Sequence, residues 1–482
     1  MSFSTAIFIS LLLVGACSSN HKHDPKNREE AVKIQKTENA QKVVTDMFSA
    51  IDKRDWKSYE KSFATRTVLY LEEPRLLKPN EMSAQVRPLY EYFESTKHEM
   101  TDFKLEEKNE HTVGTAKVSS VYWKRGDIAN DYVTLVGKYE FEFVPEGDQY
   151  KIMRMRFIRD HVEGNKQQIK SAQTKISLDL NYETQILEVP SQNKKSMKAW
   201  LFLPKKAVHD VVIINGNIAN IKEQGPYQYA RLLAARGIAA MVFDFVNFGE
   251  SDGNVRNLED PGQKIEDYRG IVDYISHRKE FAAARISLSG IGASAGYAAA
   301  EAVNDPRVDR LLLIAPWFQN PDLVQAQEEK YLDKLKMARE ANHRFQQDGV
   351  ISYIPVASFA DRNAVLTSNK PSEIDYYTNP DRGNLPQWRN RFATMGWISW
   401  LNFESTSAAS RVRVPTLIVH NGRNYQEGLK EFTERMRMKP EAHELSAALY
   451  DFYDHEDTMK QTVDLMEGFL NPSRSDTGVT SL

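Results

Sequence analysis

Cysteine is nearly absent from this chain: 482 residues contain one, Cys17. An internal disulfide framework is therefore excluded, as is a zinc site built on paired cysteines. No H-E-x-x-H and no paired Cys/His spacing occurs, so neither a metal nor a cofactor is expected. Long apolar runs are missing too; none reaches the roughly 20 residues that a membrane-spanning helix needs. Nor is there an excess of one charge. Sixty-three Lys and Arg stand against 66 Asp and Glu, a formal net charge of −3, which gives no electrostatic reason to expect nucleic acid. Internal repeats and low-complexity tracts are also lacking. What remains is 41% hydrophobic and 27% charged, a globular composition, in a chain long enough for two or three domains.

The position of the one cysteine is informative. Ala6-Ile7-Phe8-Ile9-Ser10-Leu11-Leu12-Leu13-Val14 has the length of a signal-peptide apolar region. It runs into Val14-Gly15-Ala16-Cys17, which resembles the lipobox of bacterial lipoproteins. The resemblance implies a signal peptide over 1–16 and acylation of Cys17. It also implies a polar tether over 17–27, with Ser18-Ser19 favouring the periplasmic face of the outer membrane. His21-Lys22-His23 reads as tether, not as a metal site.

Residues 28–165 form the first expected domain. Ala40, Val43, Val44, Met47, Phe48 and Ile51 make an apolar stripe at helical spacing, and a second helical segment follows around 86–93. The pattern then changes to period two. Tyr139, Phe141 and Phe143 alternate with Glu140 and Glu142, Pro145-Glu146-Gly147-Asp148 turns the chain, and Met153, Met155 and Phe157 return. This α+β order resembles the cone-shaped fold of nuclear transport factor 2 and of ketosteroid-isomerase and polyketide-cyclase-like domains. In that family a sheet wraps a pocket; Asp102, His111 and Asp131 are candidate pocket residues here, a surface position being the alternative for each.

Residues 166–482 read as α/β. Val211-Val212-Ile213-Ile214 is a strand buried on both faces, and strands over 238–243, 286–289, 311–314, 415–419 and 445–452 alternate with helices. An insertion over about 318–410 is rich in Trp388, Trp397 and Trp400. Gly290-Ile291-Gly292-Ala293-Ser294-Ala295-Gly296-Tyr297 follows the third of these strands. As a dinucleotide loop it fails, because at least four strands precede it and no carboxylate ends the next strand. As G-x-S-x-G over 292–296 it fits a nucleophile elbow. With Phe243-Asp244 through Gly249-Glu250-Ser251 and Asn215-Gly216, it resembles the α/β-hydrolase superfamily, near the dienelactone-hydrolase and acyl-esterase branch.

That resemblance implies Ser294 as nucleophile, the N–H groups of Asn217 and Ala295 as oxyanion donors, and His455 as base. The acid position falls on Asn424, with Glu427 as substitute. A second register puts Leu449 at the histidine's place. The expected function is a lipid-anchored envelope serine hydrolase of small-molecule carboxylic esters or related acyl compounds, with the aromatic insertion as lid. The alternative is a catalytically impaired binding protein on the same scaffold. Oligomeric state is left open.

If Cys17 is the acylation site, fatty-acid labelling of the expressed protein should disappear in Cys17→Ser. Two or more chains are needed for stable anchoring; label retained by the variant would exclude the assignment.

Overall fold

The computed structural model describes residues 25–471 apart from 72, 125–131, 178–179 and 328–329. The signal segment, Cys17, nearly all of the tether and Asp131 lie outside the described residues.

The first half opens with helix α1 (Pro25–Asp52), whose Ala40, Val44, Met47, Phe48 and Ile51 are buried as the stripe requires. Strands β1 (Phe63–Tyr70) and β2 (Pro74–Leu77) follow, then helix α2 (Pro79–Glu91). Four long strands complete the unit: β3 (Ser95–Lys108), β4 (His111–Trp123), β5 (Tyr132–Glu146) and β6 (Gln149–Gly164). The six-stranded sheet has the order β2-β1-β6-β5-β4-β3, and the β5–β6 hairpin turns where Gly147 takes φ 60°. Helix α3 (Lys166–Gln173) packs Ile169 and Ala172 into this first core, so a boundary at 165 cuts off a helix that belongs to it.

The second half is an eight-stranded sheet with helices around it. Its strands are β7 (Tyr182–Pro190), β8 (Ser196–Pro204), β9 (Asp210–Asn215), β10 (Ala239–Phe243), β11 (Arg285–Ile291), β12 (Val308–Ile314), β13 (Thr416–His420) and β14 (Glu441–Glu444). They run β14-β13-β12-β11-β9-β10-β8-β7; β8 is antiparallel to both neighbours and the rest pair parallel. That is the α/β-hydrolase sheet. All six residues of β9 are buried, as a central parallel strand covered on both faces demands. The longer helices are α4 (Gly225–Ala235), α5 (Pro261–Ser276), α6 (Ser294–Asn304), α7 (Tyr331–Asp348), α8 (Pro371–Thr378), α9 (Gln426–Arg435) and α10 (Glu456–Leu470).

Two expectations are corrected. The strand expected over 445–452 is absent: β14 ends at Glu444, and Asp451–Asp454 is a helical turn. The insertion's tryptophans do not form an aromatic lid. Trp388, Trp397 and Trp400 are buried in the main core, and Trp388 Nε1 donates to the Ala219 carbonyl at 2.8 Å.

A buried ion cluster joins the halves. Arg154 on β6 donates to Glu142 on β5 and, at 2.5 Å, to Glu223 of the second half. Lys222 Nζ then bonds Asp244 at 2.7 Å and Glu250 at 2.6 Å. His111 on β4 bonds Glu142 through one ring nitrogen and the Gly249 carbonyl, at 2.7 Å, through the other. It is therefore an interface residue, lining a cavity of about 350 Å³ between the halves and not the apolar cavity of the first half. Asp102 is exposed and paired with Lys117 at 2.9 Å.

Burial alone would raise the carboxyls of Glu142 and Glu250. Arg154 with His111 for the first, and Arg154 with Lys222 for the second, hold both below the usual range. At Asp244 burial wins over Lys222 and the carboxyl is raised. Removing one partner of such a cluster leaves charges buried and unpaired. Arg154→Ala should therefore cost about 3–5 kcal/mol in denaturant unfolding, against under about 0.5 kcal/mol for the exposed Lys42→Ala. Depressed carboxyls stabilise the fold above their unfolded pKa and lose that contribution as pH falls through the folded value. The unfolding midpoint of the wild type should thus drop as pH falls below about 4, and less steeply in Arg154→Ala.

Candidate functional site

The strand-to-helix turn after β11 decides what this face of the sheet can do. In a nucleophile elbow the reacting residue sits at the apex, with strained backbone and its side chain projecting above the sheet. Here β11 ends at Ile291, and the residue with positive φ is Gly292, at 61°. Ala293 is already helical and Ser294 is the first residue of α6. The Gly292 N–H donates to the Ile314 carbonyl at 3.0 Å, and its own carbonyl accepts from Trp317 at 3.0 Å. The apex is Gly292.

Its flanking positions confirm the register. A Cβ on Gly290 would lie 2.3 Å from the Ser294 carbonyl, so strand and helix meet there in a contact that excludes any side chain. Gly290 and Ser294 are the small residues two before and two after the apex. The Ser294 hydroxyl is fully buried and donates to the Gly216 carbonyl. Ser294 does not stand where a nucleophile would. The overlap of G-x-S-x-G over 292–296 with G-x-G-x-S over 290–294 is why the sequence reading chose it.

Of the expected partners, Asn217 lies at the apex, while Ala295 and His455 are placed elsewhere. The Ala295 N–H is spent on the Gly292 carbonyl at 3.1 Å. The N–H after the apex belongs to Ala293, and it donates to Asn217 Oδ1 at 2.8 Å. Asn217 thus reaches the site through its side chain, whose amide also donates to Tyr377 at 3.0 Å. His455 is exposed at the start of α10, its Nδ1 3.3 Å from the Thr458 hydroxyl. Ser294 and His455 make no hydrogen bond to each other.

Tyr453 faces the apex instead. A Cβ on Gly292 would lie 2.4 Å from Asn217 Oδ1 and 2.8 Å from the Tyr453 hydroxyl. That hydroxyl is buried and has no hydrogen-bond partner among the described residues. Burial pushes its phenol well above the usual value, so it stays protonated and keeps an O–H to donate. Tyr376 and Tyr450 pack against it at ring distances of 5.1 and 5.4 Å, and Tyr377 packs on those two at 4.9 and 5.7 Å. Nothing in the sequence reading anticipated this tyrosine cluster.

A cavity of about 1010 Å³ opens beside the β13 and 447–451 loops, lined by Asn421, Asn424, Tyr425, Leu449 and Tyr450 and by the insertion at 359–374. Asn424 Oδ1 accepts from Asn421 Nδ2 at 2.8 Å, so the position expected to carry the acid holds a neutral amide pair. Glu427 lines a different cavity of about 390 Å³, with Trp317 and Trp400.

The first half holds its own apolar cavity of about 480 Å³, lined by Phe48, Tyr90, Tyr122, Leu135, Tyr139 and Phe157. At its side His98 Nδ1 lies 2.7 Å from Asp52 Oδ1, and His98 Nε2 lies 3.4 Å from the Tyr90 hydroxyl. Burial would raise the Asp52 carboxyl, but its bonds to His98 hold it below the usual range. These residues were missed because 46 positions separate the pair and no local motif marks either.

A family model for the SnoaL-like domain matches residues 33–156. The uncharacterized protein YcjY of Escherichia coli (strain K12) is 32% identical over 117 residues, which cover 23% of this chain and 38% of that protein. Acyltransferase drtE of Aspergillus calidoustus is 27% identical over 159 residues, covering 33% and 51%. A thiohydrolase of Eupenicillium brefeldianum is 24% identical over 243 residues, covering 49% and 77%. The matches to YcjY and drtE thus span less than two thirds of those relatives. Among solved structures, the DcsB complex with its substrate analogue aligns at a TM-score of 0.53 with 20% identity, covering 60% of this chain and 99% of that one. The structural likeness shows the fold of the second half.

The apex geometry makes a stability prediction. Gly147 and Gly292 share a positive φ, but a Cβ on Gly147 meets nothing within 4 Å. Gly147→Ala should cost about 1–2 kcal/mol of left-handed strain. Gly292→Ala should cost at least about 1 kcal/mol more through the Asn217 contact; equal losses in thermal or denaturant melts would count against the stated packing.

Proposed function

We propose that this chain, a SnoaL-like domain joined to an α/β-hydrolase fold, recognises carboxylic esters or related acyl compounds without serine–histidine catalysis. The observation that carries the reading is the glycine at the elbow apex. A covalent acyl intermediate needs an activated nucleophile within reach of a base, and an oxyanion needs free N–H donors. Here the apex has no side chain, Ser294 donates into the sheet, and the Ala293 N–H is capped by Asn217. An asparagine at the acid position could not compensate an imidazolium. What the fold retains is a large cavity whose lining is mostly polar and charged, with Tyr425, Tyr450, Phe359, Leu366 and Leu449 as its larger apolar surfaces. The names of the relatives, acyltransferase and thiohydrolase, support an acyl compound as the ligand class.

The same names favour a second reading, hydrolysis. It requires a nucleophile other than the apex residue; a water activated within the cavity would serve, with Ser294 in no direct role. Location completes the proposal: the protein is held at the bacterial envelope by acylation of Cys17, a reading supported by the sequence around 6–19 alone.

Turnover separates the two readings. Hydrolysis of short-chain nitrophenyl esters and of acyl thioesters by the wild type should equal buffer background and be unchanged in Ser294→Ala and His455→Ala. Saturable turnover that both variants retain would favour the hydrolytic reading. Turnover lost in either would restore the serine–histidine route.

A further inference from the structure

We propose that the ligand of the 1010 Å³ cavity is an amphiphilic carboxylate, its anionic head held between Arg362 and Arg423 and its apolar body against Phe359, Tyr425 and Tyr450. This rests on the reading of that cavity as the acyl site.

The argument begins with which charges around the cavity are already satisfied. Three carboxylates line it. Asp361 accepts from the Asn363 N–H at 2.8 Å and Asp451 from the Ala448 N–H at 2.8 Å. Glu373 accepts from the Ser368 hydroxyl at 2.5 Å and faces Lys370 at 3.2 Å. Each is occupied by its own turn. Five cationic side chains share the lining, and two of them, Lys330 and Lys334, have partners of their own. Arg382 is neutralised, gripped by Asp454 at 2.6 and 2.8 Å and by Asp375 at 3.2 Å.

Arg362 and Arg423 differ. Neither makes an ion pair or a side-chain hydrogen bond among the described residues. They come from separate segments, Arg362 from the insertion and Arg423 from the loop after β13, and line one cavity. A guanidinium presents a planar fork that matches a carboxylate bidentately, and beside a cavity such a fork selects that anion.

The neutral pair Asn421–Asn424 fits the same logic. A carboxylate at 424, beside Arg423, would neutralise that arginine and repel an anionic ligand across the cavity; the amide does neither. Phe359 is 50% exposed, a large apolar surface left open at this wall, and Leu366 and Leu449 extend it. Apolar surface beside unpaired guanidinium calls for a ligand with both characters. A site that holds a carboxylic acid binds what ester or thioester hydrolysis releases, so reactions of that class would supply its ligand.

Calorimetric titration of the full chain with octanoate and with octanamide tests this. The two share an apolar body and differ in charge. Octanoate should bind at least about tenfold more tightly, with the advantage shrinking as salt rises from about 0.05 to 0.5 M. Arg362→Gln with Arg423→Gln, checked for an unchanged melting temperature, should bring octanoate down to the level of octanamide. Equal binding of the two by the wild type would overturn the anionic inference and leave the acyl-site reading standing. Absence of binding by either would overturn both. Retention of the octanoate advantage by the double variant would remove the arginines from the site.

Discussion

Between Ile291 and Ser294 the main chain passes from strand to helix within two residues, at a glycine whose φ is 61° and whose α-carbon lies against the Asn217 side chain. The rest of the site follows from that constraint. Because Gly292 is the apex, Gly290 and Ser294 become the close-packed flanks. The serine hydroxyl must then find its acceptor below, in the Gly216 carbonyl. Because the apex carries no side chain, Asn217 can advance far enough to cap the Ala293 N–H. Tyr453 fills the remaining approach, backed by Tyr376, Tyr377 and Tyr450. A turn that in other members of the fold would expose a nucleophile is here sealed by an amide and a phenol.

The SnoaL-like half supports the same region from outside. Arg154 reaches Glu223 beside Lys222, and Lys222 ties Asp244 and Glu250 together. These residues belong to the segments that follow β9 and β10, the first of which carries Asn217. Gln387 of the insertion adds a second tie, donating to the Met153 carbonyl of β6 at 2.7 Å. Charges this deeply buried are costly unless fully paired, so the two halves meet in one geometry or lose the pairing. The segment that carries Asn217 is thus braced by a domain that contributes no residue to the 1010 Å³ cavity.

Much of the fold was legible in the sequence because its signals are continuous. The run Val211–Ile214 could only be a central strand, and the alternation from Tyr139 to Phe157 could only be a hairpin. The elbow was legible as a turn but not in register. Two overlapping small-x-x-x-small frames occupy Gly290–Gly296, and the choice between them depends on where β11 stops, which its ladder with β12 determines. The histidine expectation failed for a related reason. The segment over 445–452 looks like a strand by composition, yet β14 ends at Glu444 and a helical turn brings Tyr453, not His455, to the apex. Asn424, where the sequence pattern expects the acid, pairs its side chain with that of Asn421. The pair Asp52–His98 lay beyond reach, since it is made by tertiary packing of α1 on β3 and by nothing local.

The central claim is that no side chain at the elbow attacks an acyl or phosphonyl centre. Intact-protein mass spectrometry after prolonged exposure of the wild type to a fluorophosphonate tests it most directly, because a competent serine becomes covalently labelled whether or not its natural substrate is known. The account predicts an unmodified mass, with the Ser294 peptide recovered unlabelled. A stoichiometric adduct on that peptide would contradict it.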